Sequence, residues 1–307
     1  MQRALDVELI RTRGLTSAER RAVERDAARG RLQRIRPGVL VRTGALDGLW
    51  PEERHVVVVR ANAPRISEPS VVSHESACAL LGIPVVADWP TRVHLADDTT
   101  STSRVTSHFV RHGVRRRRIR KTEHVLGLRV TDGARTAVDL AARRAEVVAQ
   151  PAVDHVLRTG QATPQLLVHE VERLAVGSTK ARSIVERGSA LSGSPAESVC
   201  RVRFRQLGTP EPVQQYEFRR PGAAPAVVDF WFPEQGVVVE VDGRAKYEDP
   251  TMLDGETTAD AHWKEKRRED FVRSFPEVRF VLRFTWRDLL HPERIRDALR
   301  RAGVPCR

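Results

Sequence analysis

Cysteine, lysine, aromatic residues and long apolar runs are all scarce in this 307-residue sequence. The three cysteines, Cys78, Cys200 and Cys306, stand far apart and lack metal-ligand spacing, which excludes a disulfide framework and a cysteine zinc site. No stretch approaches the ~18 consecutive apolar residues of a membrane span, and the charged N-terminus has no apolar signal-peptide core. A cytoplasmic location without a membrane partner is the resulting expectation. Aromatics make up 5% of the chain and form no base-stacking cluster, so composition does not separate RNA from DNA as a partner. Acid is also in deficit: 40 acidic residues face 52 basic ones, for a net charge of +12, which points to a polyanion, most often nucleic acid. All but five of the basic residues are arginine. Genome composition explains that ratio but not the excess of base over acid. Three of the five lysines, Lys246, Lys264 and Lys266, fall close together.

An α+β or α/β multidomain organisation is expected, in three parts: 1–45, 46–188 and 189–307. In the first, a helix over Ala4–Arg13 precedes GLTSAERRAVERDAARG, where Thr16 or Ser17 caps a second helix that stops near Gly30. RLQRIRPGVLVRTG then alternates apolar residues with arginine about Pro37-Gly38, as a short basic hairpin does. Helix, helix, basic hairpin is the order of a winged helix, with Arg20, Arg21, Arg25, Arg34 and Arg36 placed to meet phosphates. The middle part is a mixed α/β and helical region, with strands at TRVHLA and GLRVTD and a Ser73-capped helix at SHESACALLGIP. His74 and Glu75 adjoin in that helix, but no second histidine stands four residues away, so no zinc site is expected there. Arg115–Arg118 reads as an exposed strand edge, with contact to a nucleic-acid backbone as the alternative.

The third part is the most legible. Ser194, Pro195 and Gly208 bracket a helix. VQQYEF, AVVDFWF and VVVEVD are strands, a long basic helix follows over 259–275, and VRFVLRF is a fourth strand. Thr285 opens a last helix with a capping box. The order is αβββαβ. An even loop at Pro233-Glu234-Gln235-Gly236 places Asp229 opposite Glu240 with Asp242 on the same face, while Val228, Phe230 and Phe232 meet Val237, Val239 and Val241 on the other. Two carboxylates ~4 Å apart repel by about 4 kcal/mol at an effective dielectric near 20. A divalent cation relieves this, and oxygen ligands on strands suit Mg²⁺ or Mn²⁺ rather than Zn²⁺.

An aspartate, ten residues, then Glu-x-Asp-Gly within αβββαβ resembles the PD-(D/E)XK nuclease superfamily, and most of all its Vsr-like (very-short-patch-repair-endonuclease-like) branch. The branch segment E-x-D-G-x-x-H-Y is matched by Glu240, Asp242, Gly243, Lys246 and Tyr247. The resemblance implies a restriction-endonuclease-like core with Asp229 and Glu240 as metal ligands and Glu197, on the first helix, beside them. Asp242 stands where the superfamily pattern has lysine. Lys246, where the branch has histidine, would position the attacking water or steady developing charge, and so would Lys264 or Lys266 from the next helix. Lys264, Lys266 and Arg267 are also candidate nucleic-acid contacts. For Glu197 a second reading stands equal, since Ser194-Pro-Ala-Glu197 is itself a capping box.

Ahead of that domain, the winged-helix order followed by SHESACALLGIP and GLRVTDGARTAVDLA resembles AbiEi-like abortive-infection antitoxins and regulators. That likeness implies DNA binding, phage or mobile-element defence, and a cognate toxin as a protein partner. Two expectations therefore stand together. One is a metal-dependent DNA endonuclease; the other is a transcriptional regulator or antitoxin whose nuclease fold has lost catalysis.

Overall fold

The computed structural model of the chain describes residues 1–114, 119, 121–174, 176–242 and 258–307, without the side chains of 258–262, 264 and 265. Its elements run α1 (Gln2–Asp6), β1 (Ile10–Arg11), α2 (Ser17–Ala28), β2 (Leu32–Arg36), β3 (Val39–Arg42), α3 (Pro51–Asn62), β4 (Val71–Val72), α4 (His74–Leu81), β5 (Val93–Asp97), β6 (Arg104–Val105), β7 (Phe109–Gly113), β8 (Thr122–Val125), β9 (Leu128–Thr131) and α5 (Gly133–Arg143). They continue with α6 (Glu146–Arg158), α7 (Pro164–Glu172), α8 (Ser178–Glu186), α9 (Pro195–Gln206), β10 (Val213–Phe218), β11 (Ala226–Phe232), β12 (Val237–Asp242), α10 (Thr258–Arg273), β13 (Phe280–Thr285), α11 (Trp286–Leu289) and α12 (Pro292–Arg301). Among the described residues the fold is mixed α/β with three sheets. Two compact units emerge: Met1–Arg144 with Gly160–Arg187, and Ala145–Thr159 with Gly188–Arg307.

In the first unit, α2 begins as its sequence demands. Thr16 Oγ1 accepts from Glu19 N and the Glu19 carboxylate accepts from Thr16 N, closing a capping box. The helix expected over Ala4–Arg13 is cut short. It stops at Asp6, and Ile10–Arg11 instead pair antiparallel with Leu40 and Val39. Val7 is buried in the core and Leu9 packs against it, so tertiary pairing overrides a weak helical preference. The small sheet therefore has the order β1-β3-β2. Its core runs on into α3, α4 and the second sheet, ordered β6-β7-β5-β4-β9-β8, through Val41, Val56, Val72, Leu80, Leu95 and Val130. Within that sheet β5 and β7 run parallel, with His94 level with Val110 and Ala96 level with His112. The run Arg115–Arg118 lies outside the described residues.

The second unit follows the expected αβββαβ order, as α9, β10, β11, β12, α10 and β13, with α6 packed on α9. Ser194 Oγ accepts from Glu197 N at 3.2 Å, Pro195 takes the first helical position, and Gly208 leaves the helix at φ +62°. The sheet order is β10-β11-β12-β13, antiparallel except for the parallel β12–β13 pair that α10 connects. The β11–β12 register is Phe230 to Val239, Trp231 to Val238 and Phe232 to Val237, as the even loop requires. Gly236 closes that loop at φ +67°, and a Cβ there would fall 2.5 Å from Glu277 O. Phe230 and Phe232 are fully buried and make T-shaped contacts with Phe204 from α9, at 5.2 and 5.3 Å between ring centroids. Trp231 and Val238 pack in a cluster with Val272 and Phe275.

Candidate functional site

Asp229 and Glu240 occupy the position just past the last β11–β12 rung, where the two strands part. Strand residues alternate between faces. Val228, Phe230, Val239 and Val241 are buried, whereas Asp229, Glu240 and Asp242 are half-exposed. Past that rung the Asp229 carboxylate takes a backbone amide: Oδ2 accepts from Val241 N at 2.7 Å. Glu240 Oε1 lies 2.9 Å from Arg268 of α10, whose other terminal nitrogen donates to Val227 O at 2.7 Å. Arg268 thus bridges β11 and β12 beside both acids. Asp242 stands level with Thr285 of β13.

On the other side of Asp229, β10 is distorted. Gln215 falls level with Asp229 in the β10–β11 register, yet no Cα pairing forms there and Gln215 sits at φ +49°. A non-glycine residue in that region is strained by roughly 1–2 kcal/mol. The side chain so placed donates from Nε2 to Glu197 Oε2 at 3.1 Å. Glu197 Oε2 also accepts from Gly193 N at 2.8 Å. The carboxylate therefore braces the segment just before α9, reaching Gly193 where a closed capping box would reach Ser194. Burial, and then the negative charge of Asp229, push the Glu197 carboxyl above the ordinary range. The two readings of Glu197 are thus joined in one side chain, which holds the helix start and stands within electrostatic reach of Asp229. Burial likewise pushes the Cys200 thiol well up, so it is an inert core group.

Lys246 lies outside the described residues, as does the Lys264 side chain. Lys266 is exposed and sets its ammonium 5.4 Å from the Trp263 ring centroid, so it faces solvent and does not turn inward to the acids. Arg267 is exposed too. Arg268, marked in the sequence only by its place in the basic run of α10, reaches Glu240.

In the first unit, Arg20, Arg21, Arg25 and Arg34 are exposed on α2 and β2. Arg36 is half-buried and engaged: Nε donates to Ala61 O at 2.8 Å and a terminal nitrogen to Pro37 O at 2.7 Å. Burial, and after it Arg65 and Arg11, draw its pKa down. Its first task is structural.

Sequence spacing gave no metal site around His74, yet His74, His94 and His112 converge, each offering one ring atom within 4.8 Å of the others. Among the described residues this is the group of three that comes together so closely, and it lies in the first unit rather than among the acids. Burial holds all three imidazoles below the ordinary histidine range, His112 at about 2. No family model matches the sequence, and no curated protein matches it either.

Proposed function

We propose that the second unit is a divalent-metal-dependent endonuclease of the restriction-endonuclease-like kind, acting on DNA, and that the winged-helix-like start of the chain supplies DNA binding. One observation carries this reading. Asp229 and Glu240 share a face at the point where β11 and β12 part, with Glu197 close enough to Asp229 for its carboxyl to be raised. The donors are all carboxylate oxygens, which fits Mg²⁺ or Mn²⁺. Such an ion, when bound, supplies an activated water and stabilises charge on the phosphodiester. The chain's own residues do the positioning. Val241 N fixes Asp229, Gly193 N and Gln215 fix Glu197, and Arg268 steadies Glu240 against repulsion from its neighbours. The exposed arginines 20, 21, 25 and 34 give sequence-independent affinity for phosphate. A role in phage or mobile-element defence, with a toxin partner, rests on the AbiEi-like resemblance of the front half.

A second reading, a regulator or antitoxin with a silent nuclease fold, is favoured by a specific observation. Glu240 already has a cationic partner in Arg268 and Asp229 a backbone donor, and Asp242 replaces the motif lysine. Plasmid and single-stranded DNA incubated with Mg²⁺, Mn²⁺ or EDTA separates the two. The first reading expects metal-dependent cleavage that Asp229→Asn and Glu240→Gln each abolish. It also expects DNA affinity that falls steeply with salt. Absence of cleavage of any nucleic acid, with salt-sensitive DNA binding retained, leaves the regulator.

A further inference from the structure

We propose that His74, His94 and His112 form a binding site for a divalent transition-metal ion of the Zn²⁺ class, which pins α4 to the β5–β7 strand pair. The three residues come from three elements. His94 and His112 lie on parallel strands two rungs apart, on one face of the sheet. His74 opens α4, and its ring stacks on that of His112 at 3.8 Å between centroids and 20° between planes.

The spacing is that of a ligand set. Four nitrogens around Zn²⁺ at ~2.0–2.1 Å stand about 3.3 Å from one another in a tetrahedron. His112 Nε2 and His94 Nδ1 are 3.3 Å apart. His74 Nδ1 is taken by Ser73 Oγ at 2.9 Å, which leaves Nε2 as its open ring atom. That Nε2 is buried without a hydrogen-bond partner among the described residues. Buried polar atoms in native folds are seldom left so.

The backbone is arranged to the same end. His74 is held at φ +52°, a left-handed conformation that costs a non-glycine residue roughly 1–2 kcal/mol. Ser73 occupies the N-cap of α4 but makes no side-chain capping bond, because its hydroxyl is turned to the His74 ring. Both local sacrifices aim one imidazole at the other two.

Charge is balanced by Glu75, which is 1% exposed. Its Oε1 pairs with Arg144, while Oε2 lies 3.1 Å from His94 Nδ1. A carboxylate beside three neutral imidazoles supplies the negative charge that a dication in a dry pocket needs. Imidazole donors select Zn²⁺, Ni²⁺ or Co²⁺ over the oxygen-seeking Mg²⁺, so this site is chemically distinct from the acids of the second unit.

The full chain, stripped with EDTA and dialysed, should take up one equivalent of Zn²⁺ in a competition titration with a chromophoric chelator. Co²⁺ in its place should give the intense visible bands of a four-coordinate nitrogen-ligated ion. The triple variant His74→Gln, His94→Gln, His112→Gln should lose that equivalent, and Glu75→Gln should weaken uptake by about 10–100-fold. Asp229→Asn with Glu240→Gln should leave it intact. The proposal is overturned if the parent takes up no Zn²⁺, if the triple variant retains it, or if Co²⁺ gives only the pale spectrum of a six-coordinate oxygen site. That spectrum is read on the parent, so it decides the matter even if the triple variant does not fold.

Discussion

Replacing Asp154 by alanine should cost the second unit about 3–5 kcal/mol, the range for breaking a buried ion pair by removing one partner. Asp154 is 1% exposed in α6, and its two oxygens serve four donors. Oδ1 accepts from Gln150 Nε2 and Ser189 N, both at 2.9 Å. Oδ2 accepts from Ser192 Oγ and from a terminal nitrogen of Arg201, both at 3.0 Å. One carboxylate therefore ties α6 to α9 and to the segment that precedes α9. The larger share of the cost is electrostatic, since the Arg201 side chain is only 8% exposed and would lose its Asp154 counter-charge. The three neutral donors add roughly 1 kcal/mol each at most, and not additively. Urea denaturation of the full chain, with hydrogen exchange of the α9 amides assigning the transition to this unit, gives the number. The diagnostic is the double variant. Adding Arg201→Met to Asp154→Ala should recover stability, because it removes the buried charge that the single change deprives of the Asp154 carboxylate. A loss below about 1 kcal/mol for Asp154→Ala, or no recovery in the double variant, would refute the assignment of Asp154 as the buried counter-charge.

Glu197→Gln should alter stability in a pH-dependent way. The Glu197 carboxyl is raised by burial and then by Asp229, so the folded state holds its proton to higher pH than the unfolded state does. That contribution favours the fold at acid pH and is lost as pH rises through the folded-state value. Glutamine mimics the protonated form and keeps an acceptor for Gly193 N. The variant should match the parent at acid pH and exceed it at neutral pH in thermal melts; an equal offset at every pH would sink the argument. Gly236→Ala should destabilise by about 1–3 kcal/mol from left-handed backbone strain alone, and more from the contact with Glu277 O. A thermal shift within error of the parent would remove Gly236 as the residue that sets the hairpin.

The second unit was legible because its signals are local and agree with one another. Valine and aromatic alternation marks β10, β11 and β12 to the residue, and an even loop fixes which side chains share a face. What escaped notice depends on partners remote in sequence. Ile10 and Arg11 leave their helix because β3 offers a ladder. Gln215 looks like an ordinary strand residue in VQQYEF, and its left-handed backbone is explained only by Glu197 on α9. The histidines of the first unit lie on elements that sequence spacing does not connect; a search for motifs such as a helical His pair passes over them, whereas the β5–β7 register brings two of them to one face.

The acids of the second unit stand where register and charge make competing demands. A one-residue slip of β12 against β11 would turn Asp229 or Glu240 into the core between the sheet and Phe204, so burial of Phe230, Phe232 and Val239 selects against it. Keeping the register leaves two carboxylates together, and the strands part at that rung, with Val241 N turned to Asp229 and Arg268 drawn to Glu240. Arg268 is what gives the two functional readings different physical content. In an active site its guanidinium must yield Glu240 to an arriving dication, or share it, since a carboxylate offers two oxygens and about four lone-pair directions. In a silent site the Arg268–Glu240 pair is itself the final state, a bolt across β11 and β12 through Val227 O. Arg268→Gln removes the charge while keeping a donor for that carbonyl. If the acids serve a metal, this change should tighten Mn²⁺ binding measured by calorimetry, because the cation no longer competes with guanidinium. If they serve only the fold, it should lower stability and leave Mn²⁺ without heat of binding.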